Sequence, residues 1–427
     1  MSDIIVRPTA TAEEHDLLFW LAEQEFHSTP SREDAMKWQQ YFEGMEEFLP
    51  EQRRAAFRDE TFVGSYLIYE RKIHIGSAEI VTGCIGAVVT HPDYRKQGIA
   101  KTFLTDAIDF ARSRGHGLLL LEGIPHFYDQ FGFVDVFDVS EVAIALDAIR
   151  TTPPATYGIR LATAADGPVL LDLYQRHFSS YTGSFSRTIR QQQHRINRRL
   201  NDTPPNLPIL VTDASGTVTA AMLVANAEHP QQAFDIMADD WESIRTLLHY
   251  SANLLATDDG TEIHWRIPLD SAVSTILSDH LQLPGYIQGT DPQVLYAVRS
   301  QTYHFANAAW MARLVNFPVV AQAMTAVWQQ RWRDALAHWH GSLALQVEHE
   351  QIVLTIDGYS ITVSDAPSSD TLWVTFTAAS FIQLLFGYRT IAWAAQQSGN
   401  SVPENAVVPL HILFPSGNTW IPASDAF

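Results

Sequence analysis

The stretch Val88–Ala100, Val-Val-Thr-His-Pro-Asp-Tyr-Arg-Lys-Gln-Gly-Ile-Ala, constrains the fold more than any other part of the chain. An apolar run, Cys84–Val89, stops at His91-Pro92. Arg95-x-x-Gly98-x-Ala100 then leads into Phe103, Leu104, Ala107, Ile108 and Ala111, which recur at helical spacing up to Gly115. This is a strand, a turn and a helix start whose first backbone N–H groups have no partner within the helix. Such groups, at the positive end of the helix dipole, suit an anion such as a pyrophosphate. Gly98 permits close backbone approach and Ala100 leaves the helix start uncrowded. The turn has neither G-x-G-x-x-G nor G-K-[ST], so nucleotide-binding loops fit it poorly.

The surrounding pattern reads as mixed α/β. Ile4–Arg7 reads as a first strand, and Thr11 caps a helix with Glu13, Glu14 and Asp16 in its first turn. A second helix is predicted over Ser31–Phe42, and strands over Phe62–Tyr69, Ile73–Ile75 and Cys84–Val89. Leu118–Leu121 is a wholly apolar strand, suited to a sheet covered on both faces. Pro125 to Phe133, Pro-His-Phe-Tyr-Asp-Gln-Phe-Gly-Phe, reads as a short helix, a turn and a further strand.

Thr151–Ala155, Thr-Thr-Pro-Pro-Ala, reads as a linker. Beyond it Ile159-Arg160-Leu161-Ala162-Thr163-Ala164-Ala165-Asp166 echoes Val6-Arg7-Pro8-Thr9-Ala10-Thr11-Ala12-Glu13, and each precedes an amphipathic helix. An internal repeat of about 150 residues is expected. In the second copy the strands Ile209–Thr212 and Val218–Asn226 precede a helix over Trp241–Leu255 with no R-x-x-G-x-[GA] turn before it. That copy is expected to be structural. In the last third Ala308–Leu314 and Pro318–Trp339 read as helices. Alternating strands follow, with an Asp357-Gly358 hairpin turn, and then a helix Ala378–Phe386 capped by Thr377. The expected units are residues 1–150, 156–298 and 299–427.

With 28 Lys and Arg against 48 Asp and Glu, the net charge of −20 argues against nucleic acids and anionic membranes as partners. It favours cationic small molecules or basic peptides. The lone cysteine, Cys84, allows no disulfide within the chain and sits in an apolar strand, where a buried inert thiol is expected. There is no signal-peptide pattern in Met1–Glu14 and no apolar run long enough to span a membrane, so a cytoplasmic setting is expected.

The strand, the R-x-x-G-x-A turn, the helix, the short apolar strand and the Tyr-x-x-Phe-Gly-Phe segment together resemble the GNAT N-acetyltransferases. The whole chain resembles the enhanced-intracellular-survival (Eis) type, through Arg160-Leu-Ala-Thr, Ser186-Arg187, Met311-Ala-Arg-Leu-Val and Phe414-Pro415. The resemblance implies tandem GNAT folds followed by a sterol-carrier-like α+β domain. It implies acetyl-CoA as donor and a primary amine as acceptor: an aminoglycoside, a polyamine or a lysine side chain. No histidine–carboxylate spacing suggests a metal site, so no metal is expected. The resemblance also implies a homo-oligomer, a hexamer in the family. The donor would lie against Val88, Val89, Thr90, Arg95, Lys96, Gln97, Gly98, Ile99 and Ala100. Tyr128 would protonate the departing thiolate, and the α-carboxylate of Phe427 would be the base. Trp38, Glu25, Glu23 and Asp425 are candidates for the acceptor side, although Ala426 stands where some members carry an acid.

The chemistry is demanding. An alkyl amine attacks only when neutral, so a proton must be taken, directly or through water. A terminal carboxyl, with a reference pKa of roughly 3.5, becomes a better base when buried. A backbone N–H on the Ala87–Thr90 strand is the natural donor to the oxyanion. His91, His116 and His126 read as surface or structural histidines. A longer-chain acyltransferase and a non-catalytic CoA- or lipid-binding regulator are the alternative readings.

Overall fold

The computed structural model describes residues 4–201, 206–225, 229, 231–255, 261–282, 296–364 and 366–427. The last residue of the strand expected over Val218–Asn226 lies outside them. In chain order the strands are β1 (Ile4–Pro8), β2 (Arg53–Arg58), β3 (Thr61–Ile75), β4 (Ala78–Thr90), β5 (Leu118–Gly123), β6 (Val134–Asp135) and β7 (Val139–Ala145). Then come β8 (Gly158–Leu161), β9 (Leu207–Thr212), β10 (Val218–Val224), β11 (Gln232–Ala238), β12 (Glu262–Arg266), β13 (Val298–Tyr303) and β14 (Ala309–Leu314). The last four are β15 (Gly341–Val347), β16 (Glu350–Asp357), β17 (Ser360–Ser364) and β18 (Leu372–Phe376).

The first sheet runs β1-β2-β3-β4-β5-β14-β6 and the second β13-β7-β12-β11-β10-β9-β8. They follow one plan. Four antiparallel strands lead to a parallel neighbour, β4 beside β5 and β11 beside β12, and two antiparallel strands close the edge. Each sheet takes one closing strand from the other half of the chain: β7 crosses into the second sheet and β14 into the first. The repeat extends to one ion pair. Arg7 on β1 grips Glu14 at 2.7 and 2.9 Å, and Arg160 on β8 grips Asp166 at 2.7 and 2.8 Å.

The exchange corrects two expectations. Both sheets draw strands from across the boundaries placed at 150 and 299, so neither sheet is confined to one expected unit. Ala308–Leu314, expected to be helical, is strand β14, wedged between β5 and β6 with Trp310, Met311 and Ala312 buried. So short an apolar run has no period that separates helix from strand. Phe62–Tyr69 and Ile73–Ile75 form one strand, because the charged residues between them find partners: Glu70 on Arg114 and His116, Arg71 on the Asp425 carbonyl, and Lys72 on Glu79. β2 was not expected for a similar reason. Its arginines are neutralised by tertiary partners, Arg53 by Glu43 and Arg54 by Asp106.

The helices are α1 (Ala12–Phe26), α2 (Arg32–Glu43), α3 (Ile99–Ser113), α4 (Leu146–Arg150), α5 (Gly167–Phe178) and α6 (Ile189–Asn201). They continue with α7 (Trp241–Leu254), α8 (Ala272–His280), α9 (Phe317–Asp334), α10 (Ala378–Leu385), α11 (Ile391–Ala394) and α12 (Val407–Leu413). α3 covers one face of the first sheet through Phe103, Leu104 and Ala107. The other face, bearing Tyr69 and Cys84, shares one continuous core with α1, α2 and a third layer. That layer is the sheet β17-β16-β15-β18 with α9, α10 and α12, filled by Phe317, Trp328, Trp332, Phe381 and Phe414. No helix among the described residues is long and apolar enough to cross a membrane.

Candidate active site

The site begins with an irregularity in β4. Ser65 pairs with Val89 and Leu67 with Gly86, so Ala87 and Val88 both stand opposite Tyr66. Ala87 takes a positive φ of 50° to make this bulge. Bulges bend a strand and free its backbone groups from the ladder. β4 pairs with β5 only from Thr82–Leu118 to Ile85–Leu121. Beyond Ile85 the two parallel strands run on unpaired, and a cleft opens between Gly86–Thr90 and the end of β5.

The turn from β4 to α3 flanks this cleft. His91 Nδ1 accepts the Asp93 N–H at 3.4 Å and starts a single helical turn, Pro92–Tyr94. Gly98, the α3 N-cap, has φ 83°, a conformation that glycine adopts without steric cost, and a Cβ there would meet nothing within 4 Å. α3 has no side-chain cap and no acid in its first turn. By contrast, α1, α2, α9 and α10 are capped by Thr11, Ser31, Asn316 and Thr377. The open N–H groups at the start of α3 fit an anionic group such as a pyrophosphate.

The expected loop residues divide by accessibility. Arg95, Lys96, Gln97 and Gly98 are exposed; Val88, Thr90 and Ala100 are half-buried. Val89 packs on Leu21 and Ala22, and Ile99 lies in the core under α3, so these two offer only backbone. Arg95 bonds the Thr90 carbonyl and pairs with Glu25. Glu25 therefore ties α1 to the loop, which differs from the acceptor contact expected of it. Gln97 is held by Arg58.

Tyr128 stands on the α3 side of the sheet. It precedes the short turn Asp129–Phe131, which Gly132 ends at φ 78°. Its ring lies over Gly123 at the end of β5, where a Cβ would come within 2.8 Å of it. The residue is 8% exposed, and burial pushes its phenol up to about 12. It is a protonated donor at neutral pH, and its hydroxyl has no hydrogen-bond partner among the described residues.

Phe427 stands on the opposite face, half-buried. Its ring packs on Tyr69 at 5.6 Å and Trp310 at 5.5 Å between centroids. Its backbone oxygen lies 3.4 Å from the place of a Gly86 Cβ. Trp38 lies on this side too, edge-on to Phe19 and Phe26. The sequence singled out neither Tyr69 nor Trp310. Both sit in apolar strand runs, where nothing distinguishes a cleft wall from core.

Asp425 is corrected outright. Instead of facing an acceptor, it is wholly buried, with Arg187 at 2.8 Å and the Tyr174 hydroxyl at 2.6 Å. Burial would raise its carboxyl, but Arg187 and Arg195 outweigh that and hold it below its ordinary value. Glu23 is likewise taken, by His27 at 2.7 Å and the Ser31 N–H. His116 is buried against Glu70 at 2.9 Å, and His126 is exposed. Cys84 is buried, and desolvation pushes its thiol up to about 12. No cluster suited to a metal ion occurs among the described residues.

A splayed strand pair, an open helix start and a buried tyrosine at the cleft define a class of protein. Residues 6–134 match the family described as an acetyltransferase (GNAT) domain, and the chain is an enzyme of the N-acetyltransferase class. Such enzymes draw on acetyl-CoA or another acyl-CoA and act on amines. Three solved structures share the fold. An Enterococcus faecalis V583 protein described as a probable N-acyltransferase superposes with a TM-score of 0.71 at 16% identity over 100% of both chains. A GCN5-related N-acetyltransferase from Kribbella flavida gives 0.71 at 14% identity, over 100% of this chain and 99% of that one. Eis1 from Mycobacterium abscessus gives 0.63 at 15% identity over 100% of both. No curated protein sequence matches the chain.

Proposed function

We propose that the chain transfers acetyl from acetyl-CoA to a primary amine (an aminoglycoside, a polyamine or a lysine side chain) by direct attack. One observation carries this reading: the uncapped start of α3 opens beside the split between β4 and β5, with Tyr128 on one face and Phe427 on the other.

The first-turn N–H groups of α3 hold the donor's pyrophosphate, and Arg95 and Lys96 flank it. The freed backbone between Ala87 and Thr90 orients the acyl carbonyl and donates to its developing negative charge. The donor supplies the activated acyl group. Tyr128, protonated at neutral pH, donates to the departing sulfur. The Phe427 carboxylate, where that residue ends the chain, takes the proton from the amine, directly or through water. Trp38 and Phe427, the latter backed by Tyr69 and Trp310, present aromatic surface to the acceptor. With a net charge of −20 this favours a cationic amine. On the strength of the family resemblance, the same reading makes the third layer sterol-carrier-like, the assembly hexameric and the setting cytoplasmic.

The test is release of free CoA thiol from acetyl-, propionyl- and longer acyl-CoA with a panel of aminoglycosides, polyamines and lysine peptides. It is run on the chain ending at Phe427 and on a variant with one residue added after Phe427. Turnover of acetyl-CoA that collapses on extension supports donor and base together. Turnover that survives extension removes Phe427 as base. Preference for a long acyl donor replaces acetyl transfer by acyl transfer, and binding without any turnover overturns the reading.

A further inference from the structure

The second half of the chain repeats the first down to the bulge. Ala221 pairs with Met237 and Leu223 with Phe234, so Asp235 and Ile236 stand opposite Met222. Asp235 adopts φ 49°, the counterpart of Ala87 at 50°. In the first half the bulge faces the acyl-transfer cleft. Here its side chain is buried, and its two carboxylate oxygens accept the Ala423 and Ser424 N–H groups, each at 2.8 Å.

The rest of the surrounding wall grips the same segment. Arg187 donates to Ser424 Oγ and to Asp425 Oδ1, both at 2.8 Å. Tyr174 donates to Asp425 Oδ2 at 2.6 Å, and Arg195 to the Ser424 carbonyl at 2.6 Å. Arg71, from β3 of the first sheet, donates to the Asp425 carbonyl at 2.8 Å. Trp420 enters the apolar cluster under α5 and α6. The Ser186-Arg187 pair sits in a stretch that also pairs with the end of β3, with Ser186 N–H on the Lys72 carbonyl and Gly183 N–H on the His74 carbonyl. Two residues beyond Asp425, Phe427 reaches Gly86 and Tyr69.

We propose that Tyr174, Arg187, Arg195 and Asp235 form a socket whose role is to set the position of Phe427 in the cleft of the first half. The positioning role rests on the acyltransferase reading; the socket itself does not. The half whose matching helix, α7, has a capped start thus serves the reaction by fixing the other half's base. These are positioning residues, since none touches a reacting atom.

The test uses the full chain with Arg187→Met, Arg187→Lys and the control Asp240→Ala, which lies at the start of α7 away from the tail. Hydrogen exchange of the 420–427 amides is read alongside kcat and KM for acetyl-CoA. In Arg187→Met the Asp425 and Ala426 amides exchange about tenfold faster or more, as a locally opened segment does. kcat falls by about 10²-fold, the scale of a misplaced group, while KM for the donor stays within about twofold. Arg187→Lys, which keeps the charge but loses the fork, recovers part of both, and Asp240→Ala leaves tail exchange unchanged. Should Arg187→Met fail to fold, Tyr174→Phe removes only a hydroxyl and is read in the same way. Unchanged tail exchange overturns the socket. A loosened tail with undiminished kcat overturns its positioning role. A wild-type chain with no turnover overturns the acyltransferase reading and with it the positioning of a base, while tail exchange still decides the socket.

Discussion

The two sheets share strand order, parallel pair and bulge, and part company at the connection that follows the bulge. In the first half, β4 leads to α3 through residues 91–98, and the helix starts at Gly98 with no side-chain cap and no acid in its first turn. In the second, β11 leads to α7 through Asp239 and Asp240 alone. Asp240 caps the helix by accepting the Ser243 N–H at 2.9 Å, and Glu242 adds a second acid to the first turn. One helix start is open to an external anion; the other already holds a carboxylate of its own. The fold tolerates both, and on the proposed function the difference between a donor site and a structural joint lies in a few residues at a helix N-terminus.

The largest expected effect tests the cleft beside the open start of α3. Tyr128→Phe lowers kcat by about 10²–10⁴-fold with little change in thermal unfolding, measured by CoA release and by a melting curve. Because burial holds the phenol at about 12, the wild-type rate shows no loss from Tyr128 ionisation as pH passes about 10, where an ordinary tyrosine titrates. A drop there would mean that the phenol is not desolvated in solution.

Next comes a substitution that makes the first connection resemble the second. Gly98→Asp places a carboxylate at the open start of α3, in space where a Cβ meets nothing. The KM for acetyl-CoA rises by about tenfold or more, since one screened like charge and one blocked N–H together are worth on the order of 1–2 kcal/mol. The positive φ costs a further ~1 kcal/mol of stability. An unchanged KM would show that the donor does not use this helix start.

The converse change is smaller. Asp240→Ala removes the α7 cap and lowers stability by about 1 kcal/mol in a denaturant titration. It confers no donor binding, because the long turn that frees the first helix start has no counterpart there.

The smallest effect probes what the halves have in common. Hydrogen bonds from Arg7 and Arg160 hold Glu14 and Asp166 each at about 2. A carboxyl depressed in the folded state adds stability above its unfolded pKa and loses it as pH falls, here between about 4 and 2. Glu14→Gln and Asp166→Asn therefore each cost at most ~1 kcal/mol at neutral pH, because the pairs are partly exposed, and less near pH 2. Unequal losses would mean that the two β–α entries are not equivalent.

Much of the first half was legible in the sequence. The cap Thr11, the second helix, the amphipathic α3, the apolar β5 and the turn before Gly98 are local patterns, and each forms where it was expected, with Ser31 capping the second helix instead of opening it. The missing turn before α7 was legible for the same reason. The strands β2 and β14 were not. β2 carries three arginines whose partners lie on other elements, and β14 is a short apolar run whose state is decided by the gap it fills between β5 and β6. Asp425 was misread because an acid two residues from Phe427 looks accessible until Arg187 and Tyr174 are brought around it.

By itself, then, the sequence determined the helix starts, the open turn before α3 and the doubling of a mixed α/β unit, since hydrogen-bonding periodicity, capping and turn chemistry act over a few residues. Tertiary structure alone decided the exchange of β7 and β14, the parting of β4 from β5 and the course of the last residues from the bulge at Asp235 to the bulge at Ala87. Those depend on pairings between residues up to several hundred positions apart, such as Arg71 with Asp425, whose partners are chosen by burial and charge in the folded molecule and leave no period in the chain.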